Sequence, residues 1–383
     1  MYKRQILGFV RDLLFARLFG AGSIADAFFV AFRIPNLLRS VMAEGALTSG
    51  FVPVFSAELK KGDNAAQNAI SQVSGFLIFT TVIIAALGII FSDKIIILFA
   101  PGFSSNIEKL TLSSELLRIM FPYLIFVSIV ALLGGALNSV KIFGTAAMAQ
   151  VVMNIVFILG ILAGMFWLPQ APYLVAWFVV FGGIAQLVYQ IPALKRAGFS
   201  LKPDFRFWTP TVKSIVKLMF PAIFGAAIYQ LTIFFNTVFA SFLEEGSVAW
   251  LFYADRISQL PIGIFSIALA SVLLPALSHA ETDNDQKLFS DNLYNSLRYS
   301  TFLMVPIAVC LFVLAVPIVN VLFKRGEFTS YSALKTAEAL MAYSLGLWAI
   351  SCHTMLVRAY IAKKDTITPV SYTHLTLPTN REV

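Results

Sequence analysis

The sequence predicts an all-α polytopic membrane protein: two parallel six-helix lobes around a central cavity, the second lobe incomplete, with about ten transmembrane helices present. Three observations carry this. Hydrophobic residues make up 58% of the 383 positions and charged ones only 13%, more apolar surface than one water-soluble core can hide. The apolar runs are continuous, and the mean hydropathy is +0.82. Alternating short segments would point to a barrel instead. The chain also repeats itself.

Taken in order, apolar windows fall near 5–20, 24–56, 68–92, 113–137, 146–168, 172–193, 212–242, 247–278, 296–323 and 336–362. Met1 to Arg11 runs straight into the first of them without a cleavable signal pattern. With a cytoplasmic N-terminus, the loops on that side carry Lys60, Lys61, Lys141, the cluster Lys195, Arg196, Lys202, Arg206 and Lys213, and then Lys363 and Lys364. Opposite loops are uncharged at Gly20 to Ala25 and Leu168 to Tyr173, and acidic at Glu244 and Glu245, so the positive-inside bias favours that orientation. Lys94, Lys109, Lys324, Arg325 and Lys335 are exceptions, assigned to two longer external loops.

The segment from Phe28 to Pro35, closing at Pro53 to Glu58, resembles Leu251 to Ser258, closing at Pro275 to Glu281. Leu98-Phe99-Ala100-Pro101-Gly102-Phe103 resembles Leu322-Phe323-Lys324-Arg325-Gly326-Glu327-Phe328 at nearly the same offset. Each copy spans an even number of helices, so the copies run parallel, a recurrent transporter plan. The predicted organisation is a lobe over 1–194, a basic cytoplasmic linker over 195–210, a second lobe over 211–370 and a polar tail over 371–383.

A net charge of +8 suggests nucleic acid in a soluble chain, but these bases sit mainly in loops, where topology and anionic lipid headgroups account for them. Nucleic acid is therefore excluded as a partner, and membrane lipids are expected. Cys310 and Cys352 lie in apolar segments and, with the three histidines, form no metal or redox spacing; they read as small buried side chains.

Charges inside the helices are more informative. Arg11, Asp12, Arg17, Asp26, Arg33, Arg39 and Glu44 crowd the first two windows, and Asp255 and Arg256 lie in the eighth. Each costs roughly 2.5–3.5 kcal/mol near mid-membrane, so each must face protein or a wet cavity. At 100° per residue Asp26, Arg33 and Glu44 share a face within about 20°, while Arg39 lies round the helix unless Pro35 retwists it. Arg17 and its neighbours near the membrane boundary can snorkel. Arg39 and Arg256, embedded in apolar sequence near Pro35 and Pro261, suit a phosphate ligand, because the guanidinium fork stays charged and binds two oxygens. Asp26, Asp255 and Glu44 either orient those arginines or exchange with the ligand, two roles that sequence does not separate.

Gly8-Phe9-Val10-Arg11-Asp12, Phe19-Gly20-Ala21-Gly22, the run Asp26 to Arg39, Ala43-Glu44-Gly45-Ala46 and Tyr253-Ala254-Asp255-Arg256 closely resemble the MurJ (MviN) lipid II flippases, over about Ile6 to Val370. The resemblance implies a multidrug/oligosaccharidyl-lipid/polysaccharide exporter fold in a bacterial inner membrane. It implies movement of lipid II, an undecaprenyl-diphosphate-linked disaccharide-pentapeptide, from cytoplasm to periplasm by alternating access. It implies that Arg11, Arg39 and Arg256 bind the diphosphate region, with Asp26, Arg33 and Glu44 as further essential charges, and it brings in other cell-wall synthesis proteins as partners. No cofactor is implied; whether a coupling ion or the membrane potential drives the cycle is left open.

The chain departs from the family in three places. Gln5, beside Arg4, stands where many relatives carry arginine, and Gln259 where some carry glutamate, so neither contact is carried over. The family runs on to fourteen helices, whereas Ser371 to Val383 is polar and looks like a non-native ending. The second lobe is then expected to lack its last helices, and the start at Met1 to be clipped as well. Complementation of cells depleted of their own flippase would show whether a chain ending there translocates.

The nearest rivals are a same-fold exporter of another lipid-linked oligosaccharide or of a cationic drug; the latter calls for carboxylates where this chain has arginines. A membrane glycosyltransferase needs paired carboxylates or a catalytic histidine, and the pair Asp283 and Asp285 reads as helix capping.

Overall fold

The computed structural model describes residues 2–41, 47–206 and 208–365, and among them the chain is helical with no strand. The chain divides into two compact units, Met1–Ala249 with Arg325–Phe328, and Trp250–Lys324 with Thr329–Val383.

In the first unit α1 (Tyr2–Phe19), α2 (Ser23–Arg39), α3 (Leu47–Lys61), α4 (Asp63–Ile90), α5 (Ser92–Phe99), α6 (Ile107–Met120), α7 (Tyr123–Ser139), α8 (Phe143–Gly164), α9 (Ala171–Arg196) and α10 (Pro210–Ser241) follow one another. The expected window 24–56 thus comprises α2 and α3 either side of 42–46. The window 113–137 is not one straight helix: α6 and α7 meet at 41° at Phe121 and Pro122, where proline lacks the N–H that would continue the ladder. The helices pack through a core of Phe51, Phe55, Ile70, Leu132, Leu133 and Phe199.

The basic linker is docked rather than free. Ser200 N–H donates to Gln67 Oε1 and Gln67 Nε2 donates to the Ser200 carbonyl, both at 2.8 Å, and Asp204 N–H donates to the Ser71 carbonyl at 2.8 Å. Thr209 then caps α10 ahead of Pro210 at its first position.

The second unit holds α11 (Ser247–Pro261, from Trp250 onward), α12 (Ile267–Thr282), α13 (Gln286–Val313), α14 (Ala315–Phe323) and α15 (Ser330–Ala362). Pro261 ends α11 in a wide π turn over Ile262–Ser266. Asp285 Oδ1 accepts from Leu288 N–H at 2.9 Å, the capping role its position suggested. Ser266, Ser300 and Ser351, all fully buried, join hydroxyls at 2.7 Å and tie the π turn before α12 to α13 and α15, the polar glue of helices that lipid cannot drive together.

The internal repeat is visible in the elements. α4, α5 and α6 begin 223 residues before α13, α14 and α15 (63 and 286, 92 and 315, 107 and 330), and α4 and α13 are both 28 residues long.

Six helices among the described residues are long and apolar enough to cross a membrane, and the bent pair α6 and α7 makes a seventh span. α1 falls short because it carries Lys3, Arg4, Arg11, Asp12 and Arg17, and α2 because it has 17 residues, three of them charged. Phe79, Ile83, Leu87 and Ile90 on α4 and Val309, Phe312 and Val313 on α13 stand exposed, an apolar surface that lipid suits. Cys310 lies on that exposed surface of α13 and Cys352 is half-buried, so the expectation of two buried thiols is corrected: an outward-facing position is equally apolar when the solvent is lipid.

Candidate functional site

Helix α1 turns its Phe15 and Phe19 onto Phe28 and Phe29 of α2, an aromatic core that fixes which face of α1 points inward. Arg11 emerges about one turn before Phe15. Its Nε and Nη2 donate to Asp12 Oδ1 at 3.0 and 2.7 Å, and its Nη1 donates to Asn154 Oδ1 of α8 at 3.2 Å. The guanidinium also lies 5.1 Å from the Phe157 ring centroid. With the side chain only 12% exposed, Arg11 is a pre-oriented charge held by three partners. Arg17 is exposed, as a boundary residue should be.

Asp26 is 1% exposed and enclosed by protein. Lys109 Nζ of α6 donates to its Oδ2 at 2.6 Å, and the backbone N–H groups of Gly246 and Ala249 donate to Oδ2 and Oδ1 at 2.8 Å. The carboxylate therefore pairs a buried lysine and caps the start of α11. Lys109 itself is not the external-loop residue that its sequence position suggested. It sits on α6, 7% exposed, 4.2 Å from the Phe103 ring centroid, and is drawn inward because Asp26 compensates its charge.

Arg33 donates through Nη1 to Thr237 Oγ1 of α10. The predicted shared face of α2 thus has separate partners, α6 for Asp26 and α10 for Arg33. Glu44, the third residue of that face, lies outside the described residues. Arg39, at the end of α2, is half-buried; its Nε donates to Asn36 Oδ1 at 2.9 Å. It lines a cleft of about 230 Å³ with Gly134, Asn138, Ala146, Gln150 and Gln190. Ser40 and Val41 continue α2 as a wide turn beyond Arg39.

In the second unit Arg256 lies 5.0 Å from the Phe252 ring centroid one turn back on α11, and Gln259, the residue that departs from the family pattern, donates to Asp255 Oδ2.

Residues beyond the predicted set complete these environments: Lys109, Asn154, Thr237, and the amides Asn138, Gln150, Gln186 and Gln190. A signal for the amides exists. Gln150 and Asn154, and Gln186 and Gln190, recur at i and i+4 inside apolar helices, where a polar stripe needs an interior reason.

A chain whose described residues form helices joined by turns and loops, with at least six apolar spans and with arginines held inside its helices, defines a polytopic membrane transporter. The fold agrees: a structure described as the inward-facing conformation of a multidrug resistance MATE family transporter of the MOP superfamily superposes with a TM-score of 0.80, covering 97% of this chain and 83% of that one at 14% identity. The family model described as "Lipid II flippase MurJ" matches residues 15–381. The chain belongs to the MurJ lipid II flippase family. A MurJ structure in an inward closed conformation superposes with a TM-score of 0.83 at 30% identity, covering 97% of this chain and 76% of that one. Relatives include the "Lipid II flippase MurJ" of Burkholderia cenocepacia, 37% identical over 96% of this chain and 72% of its own length. Proteins described as "Probable lipid II flippase MurJ" match from Vibrio cholerae at 38% identity, covering 98% and 73%, and from Buchnera aphidicola of Acyrthosiphon pisum at 37%, covering 98% and 74%. The chain thus spans about three quarters of the length of these relatives.

Proposed function

We propose that the protein is a lipid II flippase of the bacterial inner membrane, with a cytoplasmic N-terminus, and that it moves its cargo by alternating access of the repeats at 1–194 and 211–370. It performs no covalent chemistry. Its work is to offer the diphosphate headgroup a substitute for water while the polyprenyl chain stays in lipid. The observation that carries this reading is Arg39, a guanidinium half-buried on the wall of a cleft among apolar helices. Such a charge is worth its desolvation when an anion replaces the lost water. Arg11 and Arg256 are the other two arginines of the diphosphate site. Asp26, Arg33, Glu44 and Asp255 are the further charges of the substrate-binding set, and Asp26 and Arg33 also tie α2 to α6 and α10. Other cell-wall synthesis proteins, which make or consume the same lipid, are the expected partners.

The test is replacement. Cells depleted of their own flippase, given this protein, should resume growth, and vesicles containing it should carry lipid II from one leaflet to the other. Protein that inserts normally and moves no lipid II would overturn the reading.

A further inference from the structure

The cleft beside Arg39 is built from more than one charge. It lies toward the ends of α2, α7 and α9 and the start of α8. Its wall carries three amide side chains, Asn138, Gln150 and Gln190. Gln190 is 1% exposed, yet its Oε1 finds no hydrogen-bond donor among the described residues. One turn earlier Gln186, fully buried, spends its Nε2 on the Ala149 carbonyl at 3.1 Å and likewise leaves its Oε1 without a donor. Amides that only joined helices together would be satisfied at both ends, because an unmet acceptor in this setting costs about 1–3 kcal/mol. An unmet carbonyl oxygen on a cleft wall asks for a ligand that brings N–H or O–H groups.

Size limits what that ligand part can be. At about 230 Å³ the cleft holds the volume of roughly seven waters and falls below the roughly 300–1,000 Å³ of a site for a whole drug-sized molecule. That size matches one sugar ring rather than the whole headgroup. Hydroxyl and amide groups of a sugar supply the donors that Gln190 lacks, and the amides of Asn138 and Gln150 can both give and accept. A phosphate attached to that sugar would lie toward Arg39.

We propose that the Asn138, Gln150 and Gln190 cleft is the seat of the phosphate-proximal sugar of the lipid-linked headgroup, so that it reads the sugar while Arg39 holds the phosphate. This rests on the flippase reading above and adds to it a site of sugar recognition on α7, α8 and α9.

The protein in nanodiscs is titrated with lipid II and, separately, with undecaprenyl diphosphate, which has the same lipid and phosphates and no sugar. Gln190→Leu should weaken lipid II binding about five- to tenfold, the worth of one hydrogen bond, and leave undecaprenyl diphosphate unchanged. Gly134→Ala provides a second variant that removes no polar group. Its added methyl meets Ala146 Cβ at 3.5 Å and Gln190 Nε2 at 3.8 Å, ordinary contacts, so the fold is kept while the cleft narrows. It should show the same selective loss, whereas Arg39→Ala should weaken both ligands. If Gln190→Leu and Gly134→Ala leave lipid II binding intact, or weaken both ligands alike, there is no sugar seat. If the unmodified protein binds neither ligand, it is the flippase reading that fails.

Discussion

Gly102 and Gly326 occupy equivalent turns 224 residues apart, and each is closed down on a backbone carbonyl, Ser241 for Gly102 and Arg17 for Gly326, whose owners are also 224 residues apart. A Cβ at either glycine would come within 3.0 Å of that carbonyl. Gly102 N–H donates to Ser241 Oγ at 3.1 Å, and Glu327 N–H donates to the Arg17 carbonyl at 3.1 Å. Each turn is thus docked on the end of a helix distant in sequence, Gly102 on that of α10 and Gly326 on that of α1.

Gly102→Ala and Gly326→Ala should each lower stability by about 1–3 kcal/mol through overpacking. Gly326→Ala should cost about 1–2 kcal/mol more, because its φ of +62° is left-handed. Thermal unfolding in detergent measures both. Equal stability of Gly326→Ala and the unmodified protein would contradict the clasp.

Removing one member of the Asp26 and Lys109 pair strands the other, so Asp26→Leu or Lys109→Met alone should cost about 3–5 kcal/mol. Lys109→Met should be partly rescued by Asp26→Asn, which removes the stranded charge and whose single amide oxygen can still accept from one of the two N–H groups, Gly246 or Ala249. A double variant no more stable than Lys109→Met would show that the two residues are uncoupled.

Arg11 uses three nitrogens on two partners, which a lysine ammonium on a flexible stem cannot reproduce. Arg11→Lys should insert and fold yet lose most translocation, about tenfold or more for charge-assisted bonds worth about 1.5–3 kcal/mol. Wild-type transport by that variant would show that charge alone suffices.

The docked linker has its own test. A Cβ on Gly75 would strike the Asp204 carbonyl, so Gly75→Ala should undock the segment near 200–206 and speed amide exchange there. The Arg206 side chain, hydrogen-bonded to Asp204, holds that carboxyl below its ordinary value of 3.8. A lowered folded-state pKa means that the contribution is present above pH 3.8 and lost as pH falls through the depressed value. The pair is exposed, so the effect should be small and should fade with salt. Exchange at Asp204 that is unchanged by Gly75→Ala would mean that the linker docks without that close approach.

Arg39→Ala or Arg256→Ala should abolish lipid II translocation while leaving membrane insertion intact. Normal flipping by either variant would remove that arginine from the diphosphate site.

Sequence alone determined the class of this protein, because continuous apolar runs permit only helices in lipid, and it marked Arg11, Asp26, Arg33, Arg39, Asp255 and Arg256 as charges needing an interior reason. It also exposed the repeat, since similar residues recur at a constant offset. It did not tell which charge meets which. Asp26 and Lys109 are 83 positions apart and Arg33 and Thr237 are 204 apart, and no local periodicity links residues on different helices. Nor did it single out Gln186 and Gln190, because an uncharged amide barely lowers an apolar window. Tertiary packing decided those pairings: it buried Lys109 against Asp26, docked the basic linker along α4, and left an unmet acceptor in the cleft beside Arg39. The physical reason is that hydropathy is a property of single residues, while the cost of a buried polar atom depends on the partner that the fold brings to it.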